Sequence, residues 1–244
     1  MRALRILLIV VVILGGLFVI ADRVAVHFAE NEAADKVRTT EGLASTPDVS
    51  IKGFPFLTQV ASGDLDDVRI SIKDYEADTG TAGKTIRIDD LHADMKDVSF
   101  SGDYSSATAQ TATGTATISY DELLKNAPTE PVDIGLGFTG KVVGLADGGN
   151  GKIKVTLVVN GPAIDNQKVN VLSAVTVKNN TVQVHADNLP KLPGISLVED
   201  RFRQASDFDQ AIDQLPGGIK LDTVQAAADG VDITVKGSNV KLAG

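Results

Sequence analysis

The chain opens on an unbroken apolar run, Ile6 to Ala21 (ILLIVVVILGGLFVIA), preceded by Arg2 and Arg5. As a helix this run measures about 24 Å against a hydrocarbon core of about 30 Å, marginal for a spanning segment and slightly long for a signal-peptide core. Polar punctuation is missing for four turns, which argues against a buried core helix. Ala21 offers a small residue for cleavage, but Val19 stands where a second small one is wanted, and the following DRVAVHFAENEAADKV continues without a turn signal. An uncleaved anchor is therefore favoured over a signal peptide in residues 1–22. The two arginines place its N-terminus in the cytoplasm and the rest of the chain on the outer side. Residues 23–42 then read as an amphipathic helix, with Val24, Phe28, Ala29, Ala33 and Val37 at helical spacing and a stop near Gly42.

From residue 43 to 244 the pattern alternates and predicts a single domain. Val49 and Ile51; Val68, Ile70 and Ile72; Ile86 and Ile88; and Val98 and Phe100 recur with period two between Gly, Asp and Ser clusters. The period returns in Ile153 to Val159, in Val169, Val171, Val175 and Val177, and in Val182 and Val184. Asp147-Gly148-Gly149-Asn150-Gly151, Asn179-Asn180 and Asp229-Gly230 are hairpin chemistry, because these residues tolerate positive φ. Antiparallel sheet follows, and nothing supports alternating strands and helices around a parallel one.

Two capping boxes announce helices within the sheet. Ser119 with Glu122 predicts a short one stopped by Pro128, and Ser196 with Glu199 a longer one ending at Leu215-Pro216-Gly217. In the second, Val198, Phe202, Ala205, Phe208, Ile212 and Leu215 form one apolar stripe. Its polar face carries Glu199, Asp200, Asp207, Asp209 and Asp213, which anionic lipid would repel, so packing on the sheet is expected.

Composition narrows the chemistry. Against 23 Lys+Arg stand 32 Asp+Glu, a net charge of −9. Because Arg2 and Arg5 precede every acidic residue, the chain beyond Ala21 is more acidic still, and a nucleic-acid partner is not expected. The absence of Cys excludes disulfides, thiol nucleophiles and zinc–thiolate sites, and only His27, His92 and His185 remain for imidazole chemistry. There is no nucleophile elbow, phosphate loop, dinucleotide fingerprint or His-based metal spacing, so no catalytic residue, metal or cofactor is assigned. Asp64, Asp66 and Asp67 read as solvated turn residues. Asp89-Asp90 lacks the further oxygens that calcium needs. A carboxylate-pair glycosidase stays open, since such a pair leaves little trace in sequence.

Two segments depart from ordinary strand chemistry. In ATAQTATGTATISY, from Ala107 to Tyr120, one face presents Thr111, Thr113, Thr115 and Thr117, and the other Ala112, Gly114 and Ala116. A face with so little volume must be filled by something, either a closely packed helix or an acyl chain. In Gly53-Phe54-Pro55-Phe56-Leu57, Pro55 fixes its own φ and forces Phe54 to be extended, so two of the eight Phe are held on a stiff corner. That corner is either a plug closing one end of the sheet or a lipid-contacting lip.

The stretch PDVSIKGFPFLTQVASGDLDDVRISI, Pro47 to Ile72, resembles the LmeA-type phospholipid-binding cell-envelope proteins of actinobacteria, in which a leader and short helix precede a G-F-P-F-L turn and a D-x-V-x-V strand. The closing LPGGIKLDTVQAAADGVDITVKGSNVKL is similar to the same family's final hairpin. The resemblance implies a secreted or anchored protein that binds phospholipid and supports envelope lipid or lipoglycan assembly, with no defined catalytic residues. It also implies kinship with tubular lipid-binding folds. The expected fold is α+β, a long curved antiparallel sheet wrapped around the 196–215 helix, with a β-sandwich carrying an edge helix as the alternative. The expected lipid-contacting residues are Phe54, Phe56, Leu57, Ala112, Gly114, Ala116, Phe202 and Phe208. The expected partners are phospholipid and the cytoplasmic membrane, with protein partners left open. A non-catalytic envelope interaction module is the second functional class, and a glycolipid hydrolase the third.

Overall fold

The computed structural model describes residues 2–40, 42–78, 85–103, 105–126, 130–162, 164–179, 181–187, 208–211 and 219–243. The N-terminal run and the amphipathic segment form one unbroken helix, α1 (Arg2–Thr40), with no break at residue 22. Gly42, at φ 64°, ends it in the left-handed conformation while the Leu43 N–H bonds the Arg38 carbonyl at 2.9 Å. The second half of α1 packs through Asp22, Val26 and Ala34, with Ala25 and Ala29 alongside. Val24 and Phe28, expected on the packed stripe, instead face away and are 65% and 70% exposed. The rotation of the helix is set by the docking of Asp22, described below, which periodicity does not register.

Twelve strands are described, in two antiparallel sheets. The first is curled into a half-barrel. It runs β1 (Asp48–Lys52), β2 (Asp64–Asp78), β3 (Thr85–Phe100), β4 (Ala107–Ser119), β12 (Gly230–Ala243) and β11 (Ile219–Ala226) in spatial order. The second runs β10 (Phe208–Ala211), β9 (Thr181–Ala186), β8 (Ile164–Lys178), β7 (Lys152–Gly161), β6 (Phe138–Gly149) and β5 (Val132–Gly135). Two short helices are also described, α2 (Phe56–Ser62) and α3 (Tyr120–Asn126).

The α+β class with a curved antiparallel sheet is as read from the sequence, but part of the 196–215 helix is not. Phe208 to Ala211 form a strand paired with Thr181 to Val184. The free edge of β9 offers backbone partners along its length, and that tertiary pairing overrides a helical side-chain pattern. The remainder of 196–215 lies outside the described residues.

Long strands keep one face inward only by changing phase. In β4 the inward residues are Ala107 and Ala109, then Ala112, Gly114, Ala116 and Ile118. The change falls at Gln110. At that level Asp97 of β3 and Asn239 of β12 take φ 50° and 53°, flanked by the pairs Lys96↔Thr111 and Val98↔Ala109 on one side and Ser238↔Thr111 and Val240↔Ala109 on the other. Asp and Asn tolerate this region best among residues with a Cβ, so the kink falls where they stand.

Two apolar clusters result. One joins Val155, Leu157, Val159, Val171 and Val184 of the second sheet to Val224 and Val231 of the first. The other joins Val26 of α1 and Phe56 of α2 to Leu65, Met95, Val98, Ala109, Ala112 and Val240. On the inner face of the first sheet, Leu91, Ala93, Gly114, Ala116 and Val235 belong to neither cluster and are only half-buried. They are contiguous through the pairs Leu91↔Ala116, Ala93↔Gly114 and Gly114↔Val235.

Candidate functional site

The aromatic corner is built on α1. Asp22 is fully buried, and its carboxylate accepts the Leu57 N–H at 2.8 Å. Pro55 stands at the N-cap of α2 with no side-chain cap of its own, so a carboxylate from α1 supplies what the local sequence lacks. Arg23 pairs with Asp22 and lays its guanidinium 5.2 Å from the centre of the Phe54 ring. Gly53 has φ 98°, a left-handed conformation that favours glycine, and the ends of the Gln59 and Asp66 side chains close over it. The Gln59 carboxamide oxygen accepts the Asp66 N–H at 2.9 Å and closes the corner onto β2.

The two phenylalanines part company. Phe56 is 7% exposed and sits in the cluster with Val26 and Ala112, which is the plug. Phe54 is 58% exposed, and Leu57 beside it 36%. The corner thus divides, with one ring packed inside and the other at the surface.

The small-residue strand β4 lies at the middle of the first sheet, between β3 and β12. Ala112 is buried beside Phe56, while Gly114 and Ala116 continue away from that cluster along the half-buried strip. A Cβ on Gly114 would meet Val235 Cγ2 at 2.7 Å, so the neighbouring strand leans into the space that glycine leaves. The outer face is the threonine comb, with Thr111, Thr113 and Thr115 exposed. Phe202 lies outside the described residues. Phe208 is placed in β10 by its backbone, opposite Val184. The structure therefore groups Phe56 with Ala112, continues that inner face through Gly114 and Ala116, and leaves Phe54 and Leu57 exposed on either side of Phe56 in the chain. Sequence reasoning missed Asp22, Arg23, Leu91, Ala93 and Val235. For Asp22 the signal was available: it is the first charge after the apolar run.

Several titratable groups are engaged in holding the fold together. Glu122 accepts hydrogen bonds from Lys125 Nζ at 2.8 Å and from the Arg87 N–H at 3.2 Å, and these hold its carboxyl below the usual range despite the opposing effect of burial. Instead of serving only its own helix, as a capping box would, it ties α3 to β3. Burial pushes the Tyr120 hydroxyl up, with Asp147 and Asp232 adding to the effect, and that hydroxyl donates to the Ala227 carbonyl at 2.8 Å. Asp64 accepts from Ser99 Oγ at 2.7 Å, and Arg69 bridges Asp67 and Asp94 at 2.9 and 3.1 Å, so these acids are engaged within the sheet. Among the described residues, no group of three or more His, Asp or Glu is placed to hold a metal. Ser71 Oγ lies 2.8 Å from His92 Nδ1 on the exposed face, but the surrounding backbone is engaged in the β2–β3–β4 ladders and offers no paired N–H groups for an oxyanion.

These features define a two-sheet α+β protein whose curled sheet presents an aliphatic, small-residue inner face, joined to a helix long and apolar enough to cross a membrane. A model of the LmeA-like phospholipid-binding family matches residues 20–236, and the chain belongs to that family. No curated protein and no solved structure matches the chain.

Proposed function

We propose that the protein holds phospholipid on the inner face of its curled sheet, at the outer side of the cytoplasmic membrane to which α1 anchors it. There it carries or presents lipid for envelope lipid or lipoglycan assembly without catalysing a reaction. Membership in a phospholipid-binding family supports the ligand class. The strip Leu91, Ala93, Gly114, Ala116 and Val235, aliphatic and left half-buried between two packed clusters, is the observation that carries the site. An acyl chain laid there contributes about 0.8 kcal/mol per buried methylene, so affinity needs no charged anchor in the strip.

Native mass spectrometry of the full chain extracted from membranes in mild detergent tests the reading. The expected spectrum carries one or more phospholipid masses that survive gentle activation and disappear under harsher conditions. A spectrum of bare protein under the gentlest conditions overturns it. Protease added to wall-stripped cells should digest the domain, and full protection would contradict the outer location. The second reading, a non-catalytic interaction module, draws support from Val235 leaning into the space at Gly114, because a strip filled by its own neighbours needs no ligand.

A further inference from the structure

The apolar surface of α1 does not stop where the run of apolar residues stops. Ile20, Val24 and Phe28 follow one another at four-residue spacing on one side of the helix, each between 63% and 70% exposed. Between Ala21 and His27 the only charged residues are Asp22 and Arg23, and they neutralise each other. Asp22 is turned into α2 and fully buried, while Arg23 pairs with it and covers the Phe54 ring. At the same level of the helix, on the flank that Arg23 occupies, the corner adds exposed Phe54 and Leu57. Apart from the exposed His27, apolar side chains thus surround the outward side of the helix where it meets the domain.

We infer that this surface, Val24 and Phe28 of α1 with Phe54 and Leu57 of the corner, is a bilayer-seating collar that sinks into the acyl–headgroup boundary of the same membrane that α1 crosses. The inference rests on reading α1 as a membrane-crossing helix. Length supports it: the run from Ile6 to Ala21 is about 24 Å and falls short of the hydrocarbon core of about 30 Å, whereas Ile6 to Phe28 reaches about 34 Å. Charge supports it as well, since Asp22, the acid of α1 at this level, is buried and its basic partner lies against an aromatic ring, an arrangement that suits a headgroup boundary. The domain is then seated on the lipid surface by its corner, and Phe56, directly behind the collar, begins the inner surface that runs to Ala112 and Gly114.

The chain contains no Trp, so a single introduced Trp reports its own depth. The full-length variants Phe18→Trp, Phe28→Trp, Phe54→Trp and, far away on β5, Val132→Trp would each be reconstituted into phosphatidylcholine–phosphatidylglycerol vesicles. The vesicles contain lipid brominated either near the carbonyl end or near the methyl end of the acyl chain. The expected result has three parts. F18W is quenched most by the deep bromines, F28W and F54W shift to the blue and are quenched most by the shallow ones, and V132W keeps aqueous emission in both. If F18W is quenched while F28W and F54W stay aqueous, the collar is overturned and the crossing helix stands. Quenching of F54W without F28W also overturns it, because Phe28 faces away from the domain and senses only bilayer, whereas Phe54 can touch lipid carried by the protein. If F18W itself is unquenched, the crossing reading fails and the collar fails with it.

Discussion

The carboxylate of Asp22 in α1 accepts the backbone N–H of Leu57 in α2 at 2.8 Å, across 35 residues of sequence. One charge thereby fixes the rotation of the long helix and the position of the aromatic corner. Removing it by Asp22→Ala leaves the first turn of α2 with an unsatisfied donor and should lower the melting temperature, with Asp22→Asn intermediate. Hydrogen exchange should quicken first at the Leu57 amide. Unchanged protection there would show that α2 is held by its apolar contacts alone.

The two rings of the corner should respond differently to truncation. Phe56→Ala empties a packed site and should cost about 3–5 kcal/mol, read by denaturant unfolding. Phe54→Ala should stay within about 0.5 kcal/mol while weakening association with phospholipid vesicles. A large stability loss in both would return Phe54 to the plug.

Adding volume on the inner face of β4 separates its two halves. Ala112→Leu enters a closed cluster and should destabilise by about 1–3 kcal/mol. Ala116→Leu enters the half-buried strip, so stability should hold while the lipid seen by native mass spectrometry falls. If the second variant loses stability and keeps its lipid, the strip is a filled interface and the lipid lies elsewhere.

Acid should open the β3–β4 turn. The Ser101 and Ser105 hydroxyls, together with the Ser105 N–H, hold the Asp103 carboxyl down at about 2 from an ordinary 3.8. A depressed carboxyl stabilises the folded turn fully above its unfolded value and loses that contribution as pH falls through the folded one, so the window lies between about pH 4 and pH 2. A carbon-detected NMR titration of Asp103 should show it, and Ser101→Ala should move the midpoint upward.

Strands were legible in the sequence where one phase persists, as in β7, whose Ile153, Val155, Leu157 and Val159 all face inward. They were half-legible where the phase changes. In β3 the inward residues run Ile86 and Ile88, then Leu91, Ala93 and Met95, then Val98 and Phe100, so periodicity finds the two ends and loses the middle. The cause is local: a left-handed Asp74 in the neighbouring strand and Asp97 in β3 itself. Asp inside a strand reads as punctuation to any pattern rule, yet here it keeps a curled sheet facing one way. The site divides along the same line. The corner announced itself through Pro55 and two aromatics, and the small face of β4 through its composition. The partners of these residues were less legible: Asp22 stands out as the first charge after the apolar run, but its bond to Leu57 and the approach of Val235 to Gly114 are made only by tertiary docking. The strand Phe208–Ala211 was hidden for a related reason, since its pairing with β9 depends on an edge that the segment itself does not encode.

The place of β4 at the centre of the first sheet also sets an order in time. Its second neighbour, β12, lies more than a hundred residues further along, and the described strands of the second sheet are all encoded between them. A chain delivered from its N-terminus therefore carries β4 with one bare edge until β12 has emerged. Bare edges recruit other strands, and late, distant pairings are slow to form. Chains truncated before Gly230 should thus associate edge to edge on native gels even with the second sheet complete, while the full chain runs as a single species. Equal behaviour of the two would mean that β4 is protected by some other part of the molecule while it waits.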